Sequence, residues 1–240
     1  MARSILITND DGIDAEGLKR LVIASCAFGD VTVVAPSSQR SAASHSITLH
    51  STIDVFPHDI GVEGVKAYSC SGTPADCVRV GSLSIMEKRP DFVFSGINRG
   101  YNVASDIQYS ATAGAAFEGA FQGYLSIAFS EGFEGLHEVT DAYLPGLIGE
   151  LIERPFIPGR IINVNFPECT LEECGGILYD RTVSTRMIYR DTYKETEKLP
   201  DGGVRLMVDG HRNYEAEEGT DLRAIFDRFV SVGTVPNIGF

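Results

Sequence analysis

No apolar run in this chain reaches the ~18 residues of a membrane-crossing helix, so a helical membrane span is not expected. Cysteine is sparse. The five residues, at 26, 70, 77, 169 and 174, are odd in number and lack C-x-x-C spacing, which excludes a disulfide framework. Cys169 and Cys174 have no His or Cys pair nearby to complete a zinc site. All five read as reduced thiols, with Cys26 and Cys77 expected in the core, and the cytoplasm is the expected compartment. Positive charge is short as well. Lys and Arg number 20 against 33 Asp and Glu, a net of −13, which argues against non-specific nucleic-acid binding. Met1-Ala2-Arg3 leads straight into strand pattern, so no signal peptide is expected. There is no G-x-S-x-G elbow, no Walker P-loop, no internal repeat and no linker between independent domains.

What remains is an ordinary globular composition, 43% hydrophobic and 22% charged over 240 residues. It suits one large domain or one domain with an appendage. The charge is uneven: residues 1–130 carry 9 basic and 13 acidic side chains, and residues 131–240 carry 11 and 20. A phosphate ligand therefore fits the first half better, provided that a metal and nearby arginines reverse the local sign.

The first half alternates strand and helix patterns. Ser4–Thr8 reads as a buried strand, Ala15–Phe28 as a helix, and Asp30–Ala35 as a second buried strand stopped by Pro36. Together they make a βαβ unit whose crossover should be right-handed. After a Ser-rich loop, Ile47–Phe56 and Val62–Cys70 look like strands. Thr73-Pro74-Ala75-Asp76 is a strong helix start, with Thr73 as N-cap and Pro74 in the first helical position. That helix is expected to reach about Met86. Asp91–Ser95 is the next strand, Ser110–Leu125 a helix rich in small residues, and Ser126–Ser130 a strand. Glu138–Glu153 is an amphipathic helix and Arg160–Phe166 a strand. Beyond residue 175 the alternation stops. Gly176–Arg190 and Val204–Val208 are strand-like, joined by the polar stretch Asp191–Gly203. Thr220–Arg228 reads as a short helix and Phe229–Val235 as a strand or extended tail.

The chemistry gathers at loops after strands. Asn9-Asp10-Asp11-Gly12 ends the first strand. Two adjacent carboxylates beside a core repel each other, and a divalent cation removes that penalty. The alternative is that they cap the next helix or lie in a solvated turn. Gln39-Arg40-Ser41-Ala42-Ala43-Ser44-His45 follows the second strand, and Ser95-Gly96-Ile97-Asn98 ends a later one. In a parallel sheet all three turns open on one edge, where ligands bind. Asp10, Asp11, the Ser41 hydroxyl and the Asn98 amide oxygen form a set of hard oxygen donors suited to Mg²⁺, Mn²⁺ or Ca²⁺. Arg40 and Arg99 flank it with guanidinium groups that recognise phosphate. Ser110 and Thr112 open the small-residue helix, whose N-terminus can hold a phosphate. Asn9 joins this phosphate-binding set, and His45 is a candidate general acid or phosphate donor. The bland readings are a solvated Arg40, an ordinary N-cap at Ser110 and a structural His45.

Asn9-Asp10-Asp11-Gly12, Arg40-Ser41 with His45, Ser71-Gly72-Thr73-Pro74-Ala75-Asp76-Cys77, Ser95-Gly96-Ile97-Asn98 and Tyr109-Ser110 with Thr112, Gly114-Ala115-Ala116 and Glu118-Gly119 stand in the order and spacing of the SurE (survival protein E) family. The likeness to that family is close over residues 4–130 and holds in outline beyond. The resemblance implies a Rossmann-like, three-layer, mainly parallel α/β core over 1–186. A β-hairpin arm follows over 187–214 and is exchanged between subunits of a dimer or tetramer, and a C-terminal helix and tail cover 215–240. It implies a phosphatase that hydrolyses nucleoside 5′- and possibly 3′-monophosphates with one Mg²⁺ or Mn²⁺. The metal is implied to lie on Asp10, Asp11, Ser41 and Asn98, and a metal-activated water is the expected nucleophile. Asp10, Asp11 and Asn98 are then the catalytic set. Nucleic acid and membrane are not expected as partners. Two rivals remain. A receiver-like signalling domain needs an Asp where the strand here ends in Ser95–Asn98, and a non-catalytic metal- and nucleotide-binding protein would lack turnover. Ala104 and Ala111 replace the family's usual Gly, so a positive φ at either would force the loop to adjust.

Overall fold

The computed structural model describes residues 3–237. Met1, Ala2 and the end of the expected tail, residues 238–240, lie outside the described residues. β1 (Ser4–Thr8), α1 (Glu16–Ser25) and β2 (Asp30–Pro36) form the expected βαβ unit, with Ser4 opposite Asp30 and Ile7 opposite Val33 in a parallel pair. Then come β3 (Val55–His58), β4 (Lys66–Cys70), α2 (Pro74–Val80), β5 (Phe92–Arg99), α3 (Ala111–Phe121) and β6 (Leu125–Glu131). They are followed by α4 (Glu138–Leu151), β7 (Arg160–Phe166), β8 (Ile177–Leu178), β9 (Tyr189–Lys198), β10 (Val204–Arg212), α5 (Asp221–Phe226) and β11 (Val230–Pro236).

Nine of these strands make one sheet in the order β3-β4-β2-β1-β5-β6-β7-β11-β8. The pairs are parallel except β3 with β4 and β11 with β7. From β1 the chain builds outward through β2 and β4. It then returns to β5 on the other side of β1 and builds the opposite way through β6 and β7. The reversal makes β1 and β5 the switch point of the sheet, and the crevice beyond their carboxyl ends is where such folds bind ligands.

Successive strand side chains point to opposite faces, and β1 uses both. Ile5 and Ile7 pack in a core shared with Leu18, Leu21 and Val22 of α1 and Leu144, Leu147 and Leu151 of α4. Leu6 packs on the other face with Cys77 and Val78 of α2 and Ala115 of α3. Helices thus cover both faces, giving a Rossmann-like three-layer α/β fold. α2 starts as its sequence dictates. Thr73 Oγ1 accepts from the Asp76 N–H at 3.1 Å and Asp76 Oδ2 accepts from the Thr73 N–H at 3.0 Å, a reciprocal cap behind Pro74. In α3 the small residues let the helix sit low on the sheet. A Cβ on Gly119 would come within 2.8 Å of Val93 Cβ.

Several expected boundaries move. Of Ile47–Phe56 only the end enters β3. The preceding backbone is held by side chains instead of a ladder: Thr48 N–H donates to Asp76 Oδ1 at 3.0 Å, and Ser46 O accepts from Thr73 Oγ1 at 2.6 Å. The second helix stops being α-helical at Val80 and finishes as a π-turn, Gly81–Ile85. Of Gly176–Arg190 only the short β8 and the last two residues, which open β9, are strand. The polar stretch Asp191–Gly203, expected as a connection, is mostly strand. β9 pairs with β10 as an antiparallel ribbon exposed along its whole length. With both faces wet, the ribbon needs no apolar alternation, so the usual strand signal is missing. Cys26 is exposed where a core position was expected, because it caps α1 one residue past the buried Ser25. Among the described residues no helix is long and apolar enough to cross a membrane.

Candidate active site

The turn after β1 is built by Asn9. Its side-chain amide donates to Gly12 O at 2.8 Å and accepts from the Gly12 N–H at 3.3 Å. Gly12 takes φ +106°, a conformation closed to other residues. Asn9 is fully buried, so it shapes the turn that presents Asp10 and Asp11.

Asp10 is buried, 4% exposed. Thr112 Oγ1, at the start of α3, donates to its Oδ1 at 2.7 Å. Burial first, and the charge of Asp11 in addition, push the Asp10 carboxyl from 3.8 up to about 6 against the Thr112 bond. Among the described residues no basic side chain pairs with it. Burial also raises Asp11, although the Arg99 N–H donates to its Oδ2 at 3.1 Å and Gln39 Nε2 to its Oδ1 at 3.3 Å. The same Gln39 nitrogen donates to Ser41 Oγ at 2.9 Å, which sets Ser41 beside Asp11. Asn98 turns its amide nitrogen to Gly100 O at 2.8 Å.

The loop that carries Arg40 and Ser41 is fastened at several points. Arg40 N–H donates to Asp10 O at 2.7 Å, and its guanidinium donates to Ser71 O at 2.9 Å. Its Nε is buried without a partner. Ser44 Oγ donates to Gln108 O at 2.6 Å and Ser44 N–H to Tyr109 O at 3.1 Å. His45 turns Nε2 to Glu118 Oε2 at 3.0 Å, on the body of α3, and Glu118 also takes Arg79 Nη1 at 2.9 Å. Burial works against the charge of Glu118, but the bonds from His45, Gln122 and Arg79 hold its carboxyl below the usual range. Gly114 leaves room for the loop: a Cβ there would strike Ser44 O and come within 3.0 Å of His45 Cα.

Asp11 and Ser41 are thus joined through Gln39, Asp10 precedes Asp11 at the end of β1, and Asn98 stands near the end of β5 next to Arg99, whose N–H binds Asp11. Arg40 and Thr112 adjoin them through Asp10. Ser110 caps α3 by accepting from the Ala113 N–H at 3.0 Å. Arg99 directs its guanidinium to Phe133, and His45 directs its ring to Glu118. Gln39 and Glu118 are read in the sequence only as members of a Ser-rich loop and of the family pattern, and their roles escape because the partners, Asp11 and Ser41 for Gln39, His45 and Arg79 for Glu118, are set by the fold. The link from Thr112 to Asp10 is also a contact that only the fold creates.

The donor set fits a hard divalent cation. Among the described residues no group of three or more His, Cys, Asp or Glu could hold an ion. An ion here would rest on two carboxylates and two neutral oxygens, a composition that suits Mg²⁺ or Mn²⁺. Asp10, buried and facing a like charge, is the group that such an ion would satisfy.

At Ala104 φ is +54°, the left-handed region that the family's glycine takes freely, and its N–H is held by Asp221 Oδ2 at 3.0 Å. Ala111 lies inside α3 and needs no such conformation.

A family model described as Survival protein SurE matches residues 5–190. A protein of Mesorhizobium japonicum named 5′-nucleotidase SurE is 38% identical, over 95% of this chain and 91% of its own. One of Salmonella arizonae named 5′/3′-nucleotidase SurE is 38% identical, over 95% of this chain and 88% of its own. The crystal structure of the SurE protein from Aquifex aeolicus matches with a TM-score of 0.82 and 32% identity, covering 97% of this chain and 93% of that one.

Proposed function

The chain belongs to the SurE family, and from that premise we propose that it is a metal-dependent nucleotidase, hydrolysing nucleoside 5′-monophosphates, and 3′-monophosphates as well, to nucleoside and phosphate. The observation that carries the reading is the Asp10-Asp11 pair at the switch point of the sheet, Asp10 buried and Asp11 half-buried, with Ser41 tied to Asp11 through Gln39 and, among the described residues, no basic partner for Asp10. Asp10, Asp11, Ser41 and Asn98 would hold one Mg²⁺ or Mn²⁺. Such an ion supplies Lewis-acid polarisation of a phosphate oxygen and a more acidic water as nucleophile.

The chain's own groups do the rest. Thr112 fixes Asp10 by donating to Oδ1, and Gln39 holds Asp11 and Ser41 in one arrangement. The N-terminus of α3 and the Ser110 hydroxyl take phosphate oxygens, where charge grows in the transition state. Arg40, with a buried Nε in want of an acceptor, adds a cationic donor from the opposite loop. Asn9 and His45 act one step back. Asn9 shapes the Asp10-Asp11 turn, and His45 pins the Ser41 loop to Glu118. The arm is a surface for a second copy. Tyr193, Leu206, Met207 and Val208 stand exposed along β9 and β10, and exchange of this ribbon gives a homo-oligomer at low cost. Five free thiols and a nucleotide substrate accord with a cytoplasmic setting.

The test is phosphate release from nucleoside monophosphates after exhaustive chelation, and again after addition of Mg²⁺ or Mn²⁺. Activity should vanish and return. Full activity without metal sinks the metal assignment. Nucleotide binding without turnover under every cation makes the protein a non-catalytic binder.

A further inference from the structure

Beyond Arg99 lies a cleft of about 820 Å³, walled by Gly100 and Tyr101, Phe133, the root of the arm and α5. That volume lies within the 300–1,000 Å³ common for small-molecule sites. Asn98 and Gly100 flank Arg99 in sequence, so the wall begins within about 7.6 Å of the Asn98 Cα. The charges around it are of both signs, Asp106 and Glu134 against Arg212 and Arg223. It does not select an anion. It suits a neutral guest with an aromatic face and polar edges.

Phe133 on this wall is 64% exposed, a large apolar side chain left in water. It is held there. Arg99 Nε donates to Phe133 O at 2.7 Å, and the Arg99 guanidinium lies 4.5 Å from the ring centroid. Glu168 takes the N–H groups of Glu134 and Gly135, and its own N–H donates to Tyr101 Oη at 2.7 Å. The residue that clamps the ring is thus the one whose backbone N–H binds Asp11. We propose that this cleft is the nucleoside subsite, and that Phe133 is a stacking platform for the base. The proposal rests on the nucleotidase reading, because the phosphate at Asp10 and Asp11 brings the base to the cleft.

The experiment compares AMP with ribose 5-phosphate, which has the same phosphate and sugar and no base. The readout is the ratio of their kcat/KM values. Stacking on an aromatic side chain supports a fall in that ratio of roughly fivefold to 150-fold in Phe133→Ala, carried by KM for AMP, with Phe133→Tyr restoring most of it. An unchanged ratio in Phe133→Ala overturns the proposal. The ratio is taken within one preparation, so a misfolded fraction cancels. If the wild type releases phosphate from neither ester, the nucleotidase reading fails. The platform is then decided by calorimetric titration with adenosine alone. Weaker binding by Phe133→Ala sustains it, and equal or absent binding by the wild type overturns it.

Discussion

Asp10→Asn should make the metal-free protein more stable at neutral pH. The native carboxyl is pushed up to about 6 from 3.8 by burial and by Asp11. Between those values the folded state binds more protons than the unfolded one, so stability falls as pH rises through that window. The penalty is absent below about 3.8 and complete above about 6. At about 1.36 kcal/mol per unit it amounts to about 3 kcal/mol. The asparagine keeps an oxygen for the Thr112 hydroxyl and carries no charge at any pH. Urea denaturation under chelation at pH 7.5 should therefore favour the variant by about 3 kcal/mol. For a chain of this size that is roughly 6–12 °C in Tm. At pH 4 the two proteins should be nearly equal. A cation at a hundredfold its Kd stabilises only the wild type, by about 2.7 kcal/mol, and should almost erase the gap at pH 7.5. Activity should be lost throughout. Equal stability under chelation at pH 7.5, or a gap that widens on acidification, would refute the reasoning.

Gly114→Ala should lower activity out of proportion to any stability change, because its methyl group displaces the loop at Ser44 and His45 while the helix gains propensity; kcat against the urea midpoint decides it. Ser110→Ala should cost about 1 kcal/mol through the lost cap and also lower kcat/KM, whereas unchanged kinetics would reduce Ser110 to a cap. Replacing residues 187–214 by a short Gly/Ser loop should convert a homo-oligomer into a monomer in light scattering across a dilution series. A wild type that is monomeric at micromolar concentration would refute that claim.

The α/β core was legible because parallel strands buried on both faces read as apolar runs, as in Ser4–Thr8 and Asp30–Ala35, and because punctuation is local. Thr73, Pro74 and Asp76 specify a helix start within four residues. The arm was legible only as a departure from alternation, since a ribbon wet on both faces has no pattern to show. Asp10 and Asp11 stood out as a chemical oddity at a strand end. Residues that act on them from a distance in sequence did not. Thr112 reaches Asp10 across 102 residues, and His45 is turned aside by Glu118 across 73. The positive φ at Ala104 was foreseeable as a question and answered only by the loop itself.

The order of the sheet has a consequence for biosynthesis. β7 is a buried central strand whose second neighbour, β11, is the last strand among the described residues. About sixty residues separate Phe166 from Val230, and at 5–20 residues per second they take roughly 3–13 s to synthesise. For that time the nascent protein presents Arg160–Phe166 as an open edge, with unpaired N–H and C=O groups on a strand that the finished fold buries. Until β11 pairs with it, this edge is open to pairing with another chain. Truncations before Val230 should accumulate as aggregates, not as shortened enzymes.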